Sequence, residues 1–117
     1  MVVTAVVVVS SSGIQIARKI AVHFQASLHG KFDECDILIE KYPNHLRSLF
    51  IAKEPIIFIG ALGILVSLLA PVITKKEYDP PVVVGAEDAS SVIPVLGGHS
   101  GANELAEQIG QVVDGRP

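Results

Sequence analysis

Near the end of the chain a histidine sits inside a glycine cluster, Gly97-Gly98-His99-Ser100-Gly101, just ahead of the helical start Ala102-Asn103-Glu104-Leu105. A turn of this kind leaves backbone N–H groups without intrahelical partners, and such groups can bind a carboxylate or an oxyanion. An imidazole beside them titrates near neutral pH and can move a proton in either direction. The same residues also make a tight turn in which His99 bonds to backbone and Ser100 caps the helix, so both readings stand.

Two other turns share the design. Ser10-Ser11-Ser12-Gly13 and Gly60-Ala61-Leu62-Gly63 each lead from an apolar run into a helical pattern. If all three preceding strands run parallel, the turns meet at one edge of a sheet, where helix dipoles and unpaired donors favour carboxylates or phosphates. The alternative for each is that small residues let a helix pack closely on a strand, with Ser12 as a cap.

The remaining reactive side chains are less distinctive. Asp79, ahead of Pro80-Pro81, can orient a substrate group or simply begin a strand. Lys75 and Lys76 can pair with carboxylates or form the solvated end of an apolar helix. His23 falls on a solvated helix face, while His29 and His45 fall in polar connections, and none has a second ligand at a metal-binding spacing. Cys35 lies among Asp33, Glu34 and Asp36, whose charges oppose a thiolate, and suits a small packing role.

The elements that must carry these turns can be read from periodicity. Val2 to Val9 is a continuous apolar run, expected of a strand covered on both faces. Ile14, Ala17, Ile20, Ala21 and Phe24 then recur at helical spacing. Short strands are expected over Ala26 to His29 and Ile37 to Ile39, and a helix over Asn44 to Ala52 after Pro43. Ile56 to Ile59 reads as a strand and Ala61 to Leu69 as a helix ended with the help of Pro71. Val82 to Val84 and Val92 to Leu96, joined by Glu87 to Ser91, suit an antiparallel hairpin, and a last helix spans Gly101 to Val113. The fold class is therefore α/β, a three-layer sandwich with a mainly parallel sheet and an antiparallel margin, formed by one domain over residues 1–117.

Composition narrows the partners. With 117 residues, half of them hydrophobic and 18% charged, the chain can bury one core and is not disordered. A net charge of −3 with scattered basic residues argues against nucleic acid as a partner. Ile56 to Ile73 runs eighteen residues without a charge, but a strand, a glycine turn and a helix divide it, so no membrane span is expected. The single cysteine and the lack of a charged leader at the start suit a reducing cytoplasm.

Four blocks occur in a recognisable order: Ile57-Phe58-Ile59-Gly60-Ala61-Leu62-Gly63-Ile64, Leu69-Ala70-Pro71, Lys75 or Lys76 with Asp79-Pro80-Pro81-Val82-Val83-Val84, and Gly98-His99-Ser100-Gly101-Ala102-Asn103-Glu104-Leu105-Ala106. Together they resemble the amino-terminal region of the CbiG family, the cobalt-precorrin-5A hydrolases of anaerobic cobalamin biosynthesis. The likeness is specific from about Ile56 to Ala106, and the opening fifty residues fit the family only in general character. Many members have two glycines where this chain has Gly101 alone, and many carry an arginine near Ser67.

The resemblance implies hydrolytic opening of the δ-lactone of cobalt-precorrin-5A, with release of acetaldehyde to give cobalt-precorrin-5B. Cobalt belongs to the substrate, so no cofactor and no protein-bound metal is expected. On this reading His99 is the candidate catalytic group, and the candidate substrate-binding set is Ser12, Gly13, Gly60, Ala61, Gly63, Asp79, Gly97, Gly98, Ser100, Gly101 and Asn103. The expected partners are the cobalt-precorrin substrate and carboxyl-terminal CbiG domains. The main alternative is a noncatalytic module that binds tetrapyrrole or docks those domains. A generic nucleotide-binding domain is a weaker one, because neither the dinucleotide fingerprint nor a phosphate-loop lysine motif is present.

Overall fold

The computed structural model describes residues 4–73 and 79–113. Its strands are β1 (Ala5–Val8), β2 (Ser27–Gly30), β3 (Ile37–Leu38), β4 (Ile56–Ile59), β5 (Val82–Gly85) and β6 (Val92–Leu96), and its helices are α1 (Ile14–Phe24), α2 (Tyr42–Ile51), α3 (Leu62–Leu69) and α4 (Ala102–Val113). Val2 and Val3 of the expected first strand, and Lys75 and Lys76, lie outside the described residues. Helix α2 starts two residues earlier than expected and takes in Pro43. A proline in the first helical turn is tolerated because that N–H has no intrahelical acceptor and the ring already fixes a helical φ.

The six strands form one sheet in the order β3-β2-β1-β4-β5-β6. All neighbours are parallel except β5 and β6, which form the antiparallel margin. Pro94 is accommodated because β6 is an edge strand, and the β5–β6 register shifts beside it.

Both faces of the sheet are covered. Val6, Val8, Ile57 and Ile59 pack with Ala17 and Ile20 of α1 and Ala106 and Ile109 of α4. Ala5, Val7, Ile56 and Phe58 pack with Leu46, Leu49 and Phe50 of α2 and Leu65 and Leu69 of α3. This two-sided burial is why β1 and β4 are apolar without alternation. Each fully buried Ile or Phe stabilises the fold by about 1.5–3 kcal/mol. Arg47 ties the second layer together by donating from Nε to the Leu68 carbonyl at 2.8 Å, satisfying an acceptor at the end of α3. Among the described residues, no helix is long and apolar enough to cross a membrane.

Candidate functional site

The strand order reverses between β1 and β4: the chain moves outward from β1 to β2 and β3, then returns to β4 on the other side. The carboxyl ends of β1 and β4 therefore flank a topological switch point, where open α/β sheets bind ligands. Ser10–Gly13 and Gly60–Gly63 both lie there. A Cβ on Gly13 would stand 3.0 Å from Ile59 Cγ2 and 3.3 Å from Val8 Cγ2, so the missing side chain lets the start of α1 approach the sheet. A Cβ on Gly60 would meet the Phe58 ring at 2.9 Å and Val9 Cγ2 at 3.0 Å. Gly63 differs, with nothing within 4 Å of its virtual Cβ.

Neither helix is capped by a side chain, and neither has an acidic residue in its first turn. Ser12 is not the expected cap: it lies within a 3-10 turn, and its hydroxyl is 3.0 Å from that of Ser10. The Ser10 hydroxyl also donates to the Glu87 carboxylate, carried to this edge by the link between β5 and β6. Glu87 thus places an internal negative charge over the start of α1. The start of α3, at Ala61, Leu62 and Gly63, is exposed and is the more open anion-receptive end.

The glycine–histidine turn lies elsewhere. Because β6 runs antiparallel to β5, as the hairpin reading requires, its carboxyl end reaches the amino edge of the parallel strands, so the condition for all three turns to share one edge is not met. Two turns meet; the third, Gly97–Gly101, packs on Asp79-Pro80-Pro81 at the start of β5. A four-residue strand separates the two edges by about 13 Å. His99 and the crevice turns therefore cannot touch the same reacting bond.

At the amino edge the turn is tightly specified. Gly97 has φ 76°, and a Cβ there would lie 2.3 Å from the Pro80 carbonyl oxygen. Only glycine fits both the conformation and the space. Gly101 also adopts positive φ, at 102°. Ser100 does not act as the expected cap: its hydroxyl donates to the Asp79 carbonyl oxygen at 2.8 Å. The Ser100 and Ala102 amides donate to the Gly97 carbonyl, which leaves fewer turn amides for an anion. Gly98 and His99 are exposed, and Asn103 Nδ2 lies 4.0 Å from the virtual Cβ of Gly98. Asp79 is buried, and among the described residues its Oδ1 has no hydrogen-bond partner.

The largest surprise is a histidine pair. His29 lies within β2 and His45 within α2, with His29 Nδ1 2.7 Å from His45 Nε2. His29 is only 4% exposed. Its pKa falls to about 4, first through burial and then through the charge of His45, with Asp36 opposing. Burial also lowers that of His45, against the pull of Glu54. His29 is buried and His45 half-buried, inside the strand and the helix expected over Ala26 to His29 and Asn44 to Ala52, so the reading of both as residues of polar connections is corrected. The spacing signalled that each is drawn towards the core, His45 standing four residues before the apolar Leu49 and His29 following the strand residue Leu28, but it did not signal that the two meet. Nearby, the Tyr42 hydroxyl donates to the Val8 carbonyl at 2.8 Å and holds the end of β1 against α2. Burial raises the Tyr42 pKa.

The family profile described as Cobalamin synthesis G N-terminal matches residues 44–117, a span containing β4, α3, β5 and the His99 turn. The chain belongs to this family. Among curated relatives, the cobalt-precorrin-5A hydrolase of Priestia megaterium is 36% identical over 124 residues, covering 97% of this chain and 33% of that protein. That of Salmonella typhimurium is 40% identical over 77 residues, covering 65% of this chain and 22% of the relative. The crystal structure of a cobalamin biosynthesis protein G homolog from Sulfolobus solfataricus has the same fold, with a TM-score of 0.75 at 19% identity, over 98% of this chain and 35% of that one. This CbiG amino-terminal domain thus spans about a third or less of the length of the relatives it matches.

Proposed function

We propose that this domain acts in cobalamin biosynthesis as part of a cobalt-precorrin-5A hydrolase, which opens the substrate δ-lactone and releases acetaldehyde to give cobalt-precorrin-5B. The observation that carries this reading is the family match over residues 44–117, joined to relatives that bear that activity in their names. The cobalt enters and leaves with the substrate, and the reaction requires no metal ion of the protein's own. A reducing cytoplasm is the proposed setting, in keeping with the single cysteine.

The chemistry of the two edges supports a division of labour. The substrate carries many acetate and propionate groups, and the exposed, uncapped start of α3 at Ala61 and Gly63 suits one of these carboxylates. Ser12, Gly13 and Gly60 shape the adjoining wall of the crevice. At the other edge Gly97, Gly98, Ser100, Gly101 and Asn103, with Asp79 beneath them, hold His99 at the surface. There His99 would activate water for attack on the lactone carbonyl or carry a proton to the departing fragment, a role worth roughly 10²–10⁴-fold in rate.

A second reading, a noncatalytic module that holds tetrapyrrole or docks carboxyl-terminal domains, is favoured by one observation: the two candidate edges are too far apart to form one reaction centre. Incubation with cobalt-precorrin-5A and mass analysis for loss of the two-carbon fragment tests both. Acetaldehyde release by this chain alone supports catalysis within it. Release only with the remaining domains present supports the module. Undiminished release by an otherwise active His99→Gln protein removes His99 from proton transfer.

A further inference from the structure

Among the described residues, α1 and α4 differ from α3 in what they show to solvent. The outer faces of α1 and α4 carry Arg18, Lys19, Glu104 and Glu107, as expected of helices covering one side of a sheet. Helix α3, Leu-Gly-Ile-Leu-Val-Ser-Leu-Leu, contains no charged residue. Leu65 and Leu69 are buried against the sheet, yet Leu62, Ile64 and Val66 remain 40%, 50% and 43% exposed, and Ser67 is the one polar side chain on the helix. A helix that is apolar all round belongs inside a protein on both sides. This one is covered on a single side.

We infer that the outer face of α3 is the docking surface for the additional chain that accompanies this domain in full-length members of the family. Two observations select that occupant. The relatives and the solved homolog are about three or more times as long as the matched region, so a large covalently attached partner is available to cover the face. The face is also continuous with the candidate crevice, because Leu62 directly follows Gly60 and Ala61 at the carboxyl end of β4. Chain seated on α3 would cover its apolar side chains and wall the crevice on that side. The inference rests on the reading that further domains join this one, and adds where they join.

Two measurements test it. In the Sulfolobus structure, the helix that superposes on α3 should be covered by chain from outside the matched domain. If that helix is bare while the remaining chain packs on another face, the docking surface is wrong and the joining of domains survives. If the remaining chain touches no part of the matched domain, both fail. In solution, glutamate at the positions of the full-length Priestia megaterium protein aligned with Ile64 and Val66 should separate its parts. The expected result is an increased radius of gyration by X-ray scattering and at least tenfold faster proteolysis between the parts, with an unchanged circular dichroism spectrum. Unchanged scattering and proteolysis overturn the inference. So does a dimer of the present chain that an Ile64→Glu, Val66→Glu variant dissociates, because the occupant is then a second copy.

Discussion

The carboxyl and amino edges of the sheet carry turns of nearly the same composition, but the tertiary structure uses them differently. At the carboxyl edge, Ser10–Gly13 and Gly60–Gly63 flank the switch point and leave the start of α3 open, with Glu87 resting over α1. At the amino edge, Gly97–Gly101 is clamped onto Asp79 and Pro80 by a positive-φ glycine and the Ser100 hydrogen bond. Glycine and serine therefore do not report a binding site by themselves. What matters is whether the space left by the missing side chain is filled by the protein's own backbone or left to a ligand.

The largest effect expected from breaking this contrast is at Gly97. Gly97→Ala forces a Cβ into the Pro80 carbonyl and keeps a left-handed φ, and should cost about 3 kcal/mol or more in urea unfolding. Acidification comes next and should loosen the contact between β2 and α2, where His29 meets His45. The folded pKa of His29, about 4, lies below its ordinary 6.5. The unfolded chain thus binds more protons between these values, and stability present above pH 6.5 is lost as pH falls towards 4. The loss should be on the order of 2–3 kcal/mol, with faster hydrogen exchange in β2 and α2 before the amino-edge turn.

Smaller changes sharpen the comparison. Ser100→Ala removes the bond to the Asp79 carbonyl and should destabilise the protein by about 1 kcal/mol in thermal unfolding. Glu87→Gln removes the internal charge over α1 and should tighten binding of a polycarboxylate tetrapyrrole by about two- to fivefold, measured by titration. Gly63→Ala meets no neighbour and replaces glycine within a helix, so it should stabilise the protein by about 0.5–1 kcal/mol. The opposite signs at Gly97 and Gly63 are the direct check that one glycine is required by the fold and the other is not.

Much of the architecture was legible because its determinants are local. Unbroken apolar runs mark β1 and β4 as two-sided strands, helical spacing marks α1 and α4, and the short polar link Glu87 to Ser91 marks the β5–β6 hairpin. The family blocks were equally local and are contained in the profile match. The His29–His45 pair was not legible, because its members lie sixteen residues apart and meet only when α2 packs on β2. Nor was the role of Glu87, which depends on the hairpin link reaching the start of α1.

The amino-acid sequence by itself determined the α/β class, the order of its main elements and the family to which the chain belongs. Only the tertiary structure decided that Gly97 packs on the Pro80 carbonyl with no room for a side chain, that Glu87 reaches the start of α1, and that α3 buries one apolar face and shows the other. The physical reason is that apolar periodicity says which residues seek cover, while strand direction and the choice of covering element arise from pairing between distant segments.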